Sequence, residues 1–233
     1  MEIEIPAMLR AREEILPEKF SFHSTRLRMN DVTPEGLRAM YGLIDDILPH
    51  VLDAEVDIVV EACLVAAMQN TLDRRHGRKS GLRTQSREIH KIVPFLTSAD
   101  ALTHALEIID AESIALIAPY IDEVMAIVLE NIGSAGIEVA DYCSLGISDN
   151  SKVGRLDPAN LVKISRTLEL KDTDALVISA CVKMPSLPVI EQVESELGIP
   201  VLSAATATTY LILKTLGMET SVPRAGSLLS GKY

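Results

Sequence analysis

Residues 174–210, DALVISACVKMPSLPVIEQVESELGIPVLSAATATTY, decide how this chain is read. The apolar run Ala175-Leu-Val-Ile178 stops at Ser179-Ala180-Cys181, and Met184-Pro-Ser-Leu-Pro188 then opens a helix at Val189. A second run, Ile199-Pro-Val-Leu202, ends at Ser203-Ala-Ala205 before another helix. Short apolar runs bounded by turn residues and followed by helices read as buried parallel strands. In such sheets ligands bind at the carboxyl ends of the strands, and Cys181 occupies one of them. The same grammar occurs earlier, where Ile58-Val-Val-Glu-Ala-Cys63 is followed by Leu64-Val-Ala-Ala-Met68. Two Ala-Cys dipeptides therefore end two strands.

A chain of 233 residues can bury one large core or two lobes. Nearly half of it is hydrophobic, yet no run is long enough to span a membrane. Met1-Glu-Ile-Glu4 lacks the basic region and apolar core of a secretory signal. The expectation is a soluble, cytoplasmic protein with no membrane partner. Three widely spaced cysteines make neither a disulfide framework nor a zinc pattern, so they are expected as reduced thiols with no metal. A net charge of −11 argues against nucleic acid, whose phosphates demand clustered Lys and Arg. The one dense basic stretch, Arg74-Arg-His-Gly-Arg-Lys79, reads as a solvated loop within a polar passage, 70–88, of weak helical character.

In order along the chain, Ile3, Ile5, Met8, Leu9 and Ile15 fit a helix entered at Pro6. Phe20–Leu27 alternates as a strand would, and Thr33-Pro-Glu-Gly36 caps a helix running to about Leu52. Strands are expected at 56–60, 92–96, 114–118 and 137–145, with helices at 99–109, at 121–132 (stopped by Gly133) and from Asp157-Pro158 to about Leu168. Val93-Pro-Phe-Leu-Thr-Ser-Ala-Asp-Ala-Leu-Thr103 parallels Ile199-Pro-Val-Leu-Ser-Ala-Ala-Thr-Ala-Thr-Thr209. With the paired Ala-Cys ends, this repeat predicts an α/β fold of two pseudo-twofold-related lobes, each a short parallel sheet flanked by helices. The lobes are placed at 1–97 plus 205–233 and at 98–204, with the active site in the cleft between them.

Cysteine is ordinarily a small buried hydrophobe, and Cys143, mid-strand, is read that way. Cys63 and Cys181 differ because they hold matched positions on the ligand-binding edge. Each directly precedes a helix or tight turn, whose N–H groups can lower a thiol pKa and can hold a carboxylate. Two opposed thiols suit either racemisation, by proton removal and return on opposite faces of a carbon, or thiolate addition to an activated alkene. The residues alone leave both open.

The chain also resembles the maleate isomerases of the Asp/Glu racemase superfamily. The likeness is carried by Ala62-Cys-Leu-Val-Ala66 with Met68, Ser179-Ala-Cys-Val-Lys-Met-Pro-Ser-Leu-Pro188, Pro200-Val-Leu-Ser-Ala-Ala205 with Thr208-Thr-Tyr210, and the tail Ala225–Tyr233. Glu4-Ile-Pro-Ala-Met-Leu9 and Phe22-His-Ser24 fit as well. The resemblance implies a cofactor-independent cis-trans isomerisation of maleate to fumarate by a homodimer, in a setting such as nicotinate degradation. It implies Cys63 as nucleophile, forming a succinyl-cysteine adduct, and Cys181 as proton donor and acceptor. It further implies that Tyr120, the Asn150 amide and the backbone of Leu64, Val65 and Val182 hold the substrate carboxylates. Family members carry a strand and an Asn-bearing turn ahead of the Glu4–Leu9 helix, so the expectation is that the coding start lies upstream of Met1. Rival readings are an amino-acid racemase, an arylmalonate-type decarboxylase, which is expected to lack the first cysteine, and a non-catalytic dicarboxylate-binding or thiol redox protein.

Overall fold

A computed structural model describes residues 2–29, 31–75 and 93–233, without the side chains of 74 and 75. Its centre is a four-stranded parallel sheet in the order β4-β3-β5-β6, made of β3 (Ser113–Ala118), β4 (Glu138–Ser144), β5 (Ala175–Ser179) and β6 (Val201–Ser203). The side chains of β3 alternate faces, as a period of two requires. Ile114, Leu116 and Ala118 enter one core, whereas Ala115 and Ile117 enter a second. In β5, Ala175 and Val177 face the first core while Leu176 and Ile178 face the second. Both faces are covered, which is why these strands read as unbroken apolar runs.

A separate two-stranded parallel sheet pairs β1 (Val59–Glu61) with β2 (Phe95–Thr97), setting Glu61 beside Thr97. Helix α4 (Leu64–Arg75) follows β1, and α5 (Ser98–Ile108) follows β2. Other helices are α1 (Glu4–Arg12), α6 (Asp122–Ser134), α8 (Ala159–Ser165), α9 (Ile190–Leu197) and α10 (Ala204–Thr215). The sequence repeat has a structural counterpart. Thr97 caps α5 by accepting from the Asp100 N–H, Ser203 caps α10 by accepting from the Thr206 N–H, and the two helices pack on each other. A hydroxyl at the N-cap satisfies one of the donors that a helix start leaves unpaired.

Three expectations need correction. Phe20–Leu27 is not a strand. Its alternation finds no neighbouring ladder, residues 21–26 are exposed, and the segment is held by local contacts such as Phe20 N–H to Glu13 (2.8 Å) and the Arg26–Glu2 ion pair. The helix after Thr33 is two helices, α2 (Pro34–Tyr41) and α3 (Ile44–Leu52), interrupted at Gly42-Leu43. Its cap is as expected, with the Thr33 hydroxyl accepting from Gly36 N–H at 3.1 Å. Gly133 lies inside α6, and the turn that ends that helix uses Gly136, whose φ of 84° suits a residue without a side chain. Ile92, the basic stretch from residue 76 onward and most of the 70–88 passage lie outside the described residues. No helix among the described residues is long and apolar enough to cross a membrane.

Candidate active site

Cys63 follows β1 and immediately precedes α4, and Cys181 follows β5. The two belong to different sheets, yet both are partly buried free thiols packed on the same core cluster. They lie close enough for the charge of Cys181 to raise the pKa of Cys63. The larger influences on Cys63 are burial and then the neighbouring Glu61 carboxylate, both pushing its thiol well up, whereas a hydrogen bond from the Ala66 N–H opposes them. This reverses the expectation of a thiol lowered by the helix start. At this depth the loss of solvation outweighs one turn of N–H groups.

The donors at the start of α4 can be accounted for singly. The Cys63 N–H goes to Glu61 Oε1 at 3.1 Å, and the Ala66 N–H goes to the Cys63 sulfur. Leu64 and Val65, at the first two helical positions, have no acceptor within the helix. Free N–H groups at a helix start are the kind of donor that can hold an anion.

Tyr120 lies just beyond the end of β3 and is buried. Its hydroxyl donates to the Ala180 carbonyl at 3.1 Å, next to Cys181. Burial raises the pKa of the phenol well above the usual range, and the charges of Cys181 and Cys63 and a hydrogen bond with Cys181 add to this. Tyr120 therefore stands in the field of both thiols. The backbone around it is laced to the exit of β4: Leu145 N–H donates to Ala118 O (3.0 Å), Gly146 N–H to Tyr120 O (3.0 Å) and Ile147 N–H to Pro119 O (2.7 Å). This lacing carries the chain to Asn150, the first residue of the short helix α7 (Asn150–Val153), capped by Asp149. Asn150 stands three residues beyond the last of these bonds, at the start of a short turn of helix.

The Cys181 turn is rigidly tied. Ser179 Oγ donates to Cys181 O at 2.9 Å and lies 3.2 Å from Met184 O, while Met184 N–H returns to Cys181 O at 3.1 Å. Val182 is buried immediately after the thiol. Cys143 pairs with Ile117 in the ladder and packs on the second core, apart from this cluster. Burial, then Asp141, pushes its thiol up. A cavity of about 290 Å³ lies elsewhere, between α1 and the Leu187-Pro188 segment, and neither Cys63 nor Cys181 lines it.

The family model described as arylmalonate decarboxylase matches residues 7–229. A maleate isomerase of Geobacillus stearothermophilus is 47% identical over 100% of this chain and 93% of its own length. The chain belongs to the maleate isomerase family. Among solved structures of the family, a variant maleate isomerase of Pseudomonas putida S16 with maleate superposes with a TM-score of 0.92 at 42% identity, covering 100% of this chain and 93% of that one. A Nocardia farcinica maleate cis-trans isomerase, a cysteine-to-serine variant with a covalently bound succinylcysteine intermediate, gives 0.85 at 36% identity, covering 100% and 94%.

Two acidic residues that hold the segments next to Cys63 and Cys181 escaped the sequence reading. Glu4, at the start of α1, is buried, and its Oε1 accepts from both Ser186 N–H and Leu187 N–H at 2.6 Å. It clamps the segment that follows Cys181. Glu61 ends β1, only 9% exposed, two residues before Cys63. Its one sequence signal was a charge at the end of an otherwise apolar run. Glu4→Ala leaves one buried and one partly buried N–H group unpaired, so a stability loss of about 2 kcal/mol is expected. Amide hydrogen exchange should become faster at Ser186 and Leu187. Unchanged exchange there would show that the clamp is not needed.

Proposed function

We propose that this protein converts maleate to fumarate, with Cys63 as nucleophile and Cys181 as proton donor and acceptor. The observation that carries this reading is the convergence of two thiols from separate sheets on one core, with Tyr120 in contact with the Cys181 turn. The Cys63 thiolate adds to one alkene carbon. The π electrons of the double bond take the Cys181 proton at the adjacent carbon, forming one C–S bond and one C–H bond. The resulting succinyl thioether has a single bond where maleate has a double one, and it rotates. The Cys181 thiolate then removes the proton, the C–S bond breaks, and fumarate leaves with both thiols restored to their starting states. No redox change occurs in this scheme, and no cofactor takes part.

In the same reading, the N–H groups of Leu64 and Val65 and the backbone of Val182 hold substrate carboxylates, with the Asn150 amide as a further donor. Tyr120 exchanges its Ala180 acceptor for a carboxylate oxygen. The substrate sits between a lobe of residues 1–97 plus 205–233 and a lobe of residues 98–204. The protein acts as a cytoplasmic homodimer on maleate of the kind released by nicotinate breakdown. The relatives' activity and the succinylcysteine of the Nocardia enzyme support this chemistry.

The test is to incubate the purified chain with maleate, record its intact mass and assay fumarate. Fumarate should appear together with a succinyl-sized mass gain that maps to Cys63. Folded protein that yields neither adduct nor fumarate would overturn the reading, as would a reversible Cys63–Cys181 disulfide formed in place of any reaction with maleate.

A further inference from the structure

Glu61 is the buried group that the proposed reaction does not use. It stands at the carboxyl end of β1, opposite Thr97, and one carboxyl oxygen accepts the Cys63 N–H at 3.1 Å. The other oxygen, Oε2, is buried and has no partner among the described residues. A lone buried carboxylate is expensive, and a neutral carboxylic acid is far less so. We propose that Glu61 is a positioning residue for the nucleophile: its carboxyl group fixes the Cys63 backbone and, in the neutral acid form, withholds negative charge from the Cys63 thiolate. This rests on the reading of Cys63 as the nucleophile.

The surroundings favour the neutral form. Burial pushes the Glu61 carboxyl up to about 8, the Cys63 N–H counteracts this, and Asp100 adds to the rise. Asp100 reaches Glu61 from the first turn of α5, where the Thr97 hydroxyl donates to it at 2.7 Å. Cys63 faces Glu61 from the start of α4, and Cys181 and Tyr120 face Cys63 from beyond β5 and β3. Among the described residues no cation acts on Glu61. Near neutral pH the acid is therefore uncharged and the thiolate is spared. Once the carboxyl ionises, its charge opposes thiolate formation a short distance away.

The decisive experiment measures alkylation of Cys63 by iodoacetamide, located by peptide mass, across a pH series for the wild-type protein and for Glu61→Gln. Gln keeps the acceptor for the Cys63 N–H and cannot ionise. The variant-to-wild-type rate ratio is expected near one at about pH 6.5 and should rise to on the order of tenfold by about pH 9, as when the thiol pKa falls by about one. Superimposable profiles would overturn the proposal. So would a variant slower at every pH, because that result assigns Glu61 as a base. Wild-type protein alone supplies a second reading that needs no folded variant. Its infrared spectrum should carry a protonated-carboxyl band that disappears as pH rises through about 8, and absence of that band at neutral pH would refute the neutral acid. Neither readout uses maleate, so a failure here is distinguishable from a failure of the proposed isomerisation.

Discussion

Cys181→Ala is expected to lower turnover of maleate by about 10²–10⁴-fold, the range for loss of a positioned general acid or base. Cys63 chemistry should persist. If Cys63 forms the C–S bond and Cys181 handles the proton, removing Cys181 leaves a protein that still captures substrate but releases it slowly. A succinyl mass on Cys63 should then accumulate beyond the level that the wild-type protein reaches. Cys63→Ala is expected to abolish both the adduct and fumarate. The asymmetry between the two variants is the informative result. Tyr120 and the Ser179 clasp hold the Cys181 turn through Ala180 O, Cys181 O and Met184 O, backbone atoms that the alanine substitution keeps. An adduct lost in Cys181→Ala but retained in Cys63→Ala would mean that Cys181 bears the covalent intermediate, and loss in both would mean that the thiols act only as a pair. Rapid-quench mass spectrometry with a parallel fumarate assay distinguishes these outcomes.

The second large effect concerns stability and pH. Glu61 holds its proton in the folded chain up to about 8, against an ordinary value of 4.5. Between these limits the unfolded chain gives up the proton and the folded chain keeps it. The unfolded state then binds fewer protons, so stability falls as pH rises through the window and levels off above the folded value. With about 1.4 kcal/mol for every pH unit of that window, the loss is on the order of 5 kcal/mol. The lowered carboxylates act in the opposite sense. Glu2, Glu13, Glu18, Asp149 and Glu196 lend stability above their ordinary range that is lost on acidification. The raised Cys63 thiol extends the alkaline decline, because an unfolded cysteine ionises first. Glu61→Gln isolates one contribution. Urea unfolding at about pH 5.5 and 8.5 should show a steep loss for the wild-type protein and a much shallower one for the variant. Parallel losses in the two proteins would place the decline on other groups.

Most of the architecture was legible because its signals are local. β3 and β5 are buried on both faces, so they spell continuous apolar runs. The paired caps Thr97 and Ser203 stand at the same place in the two halves of a short internal repeat. The Ala-Cys ends were found by the same local grammar. What misled was alternation without a partner, as in Phe20–Leu27, since a strand requires a ladder that no single segment encodes. Gly133 misled similarly: a glycine can sit within a helix, and only the backbone angle shows that Gly136 makes the turn.

By itself the sequence determined the α/β class and the two cysteines at strand ends, because residue type and short spacing carry that information. Tertiary structure decided what those groups experience. It set Cys63 deep enough that burial raises its thiol, contrary to the helix-start argument, because desolvation depends on residues far along the chain. It committed the Tyr120 hydroxyl to Ala180, across 60 positions of sequence. It also buried the Glu61 carboxyl beside Cys63, where the loss of solvation favours its acid form. Electrostatic energies depend on distance and burial in space, and neither is written in the order of residues.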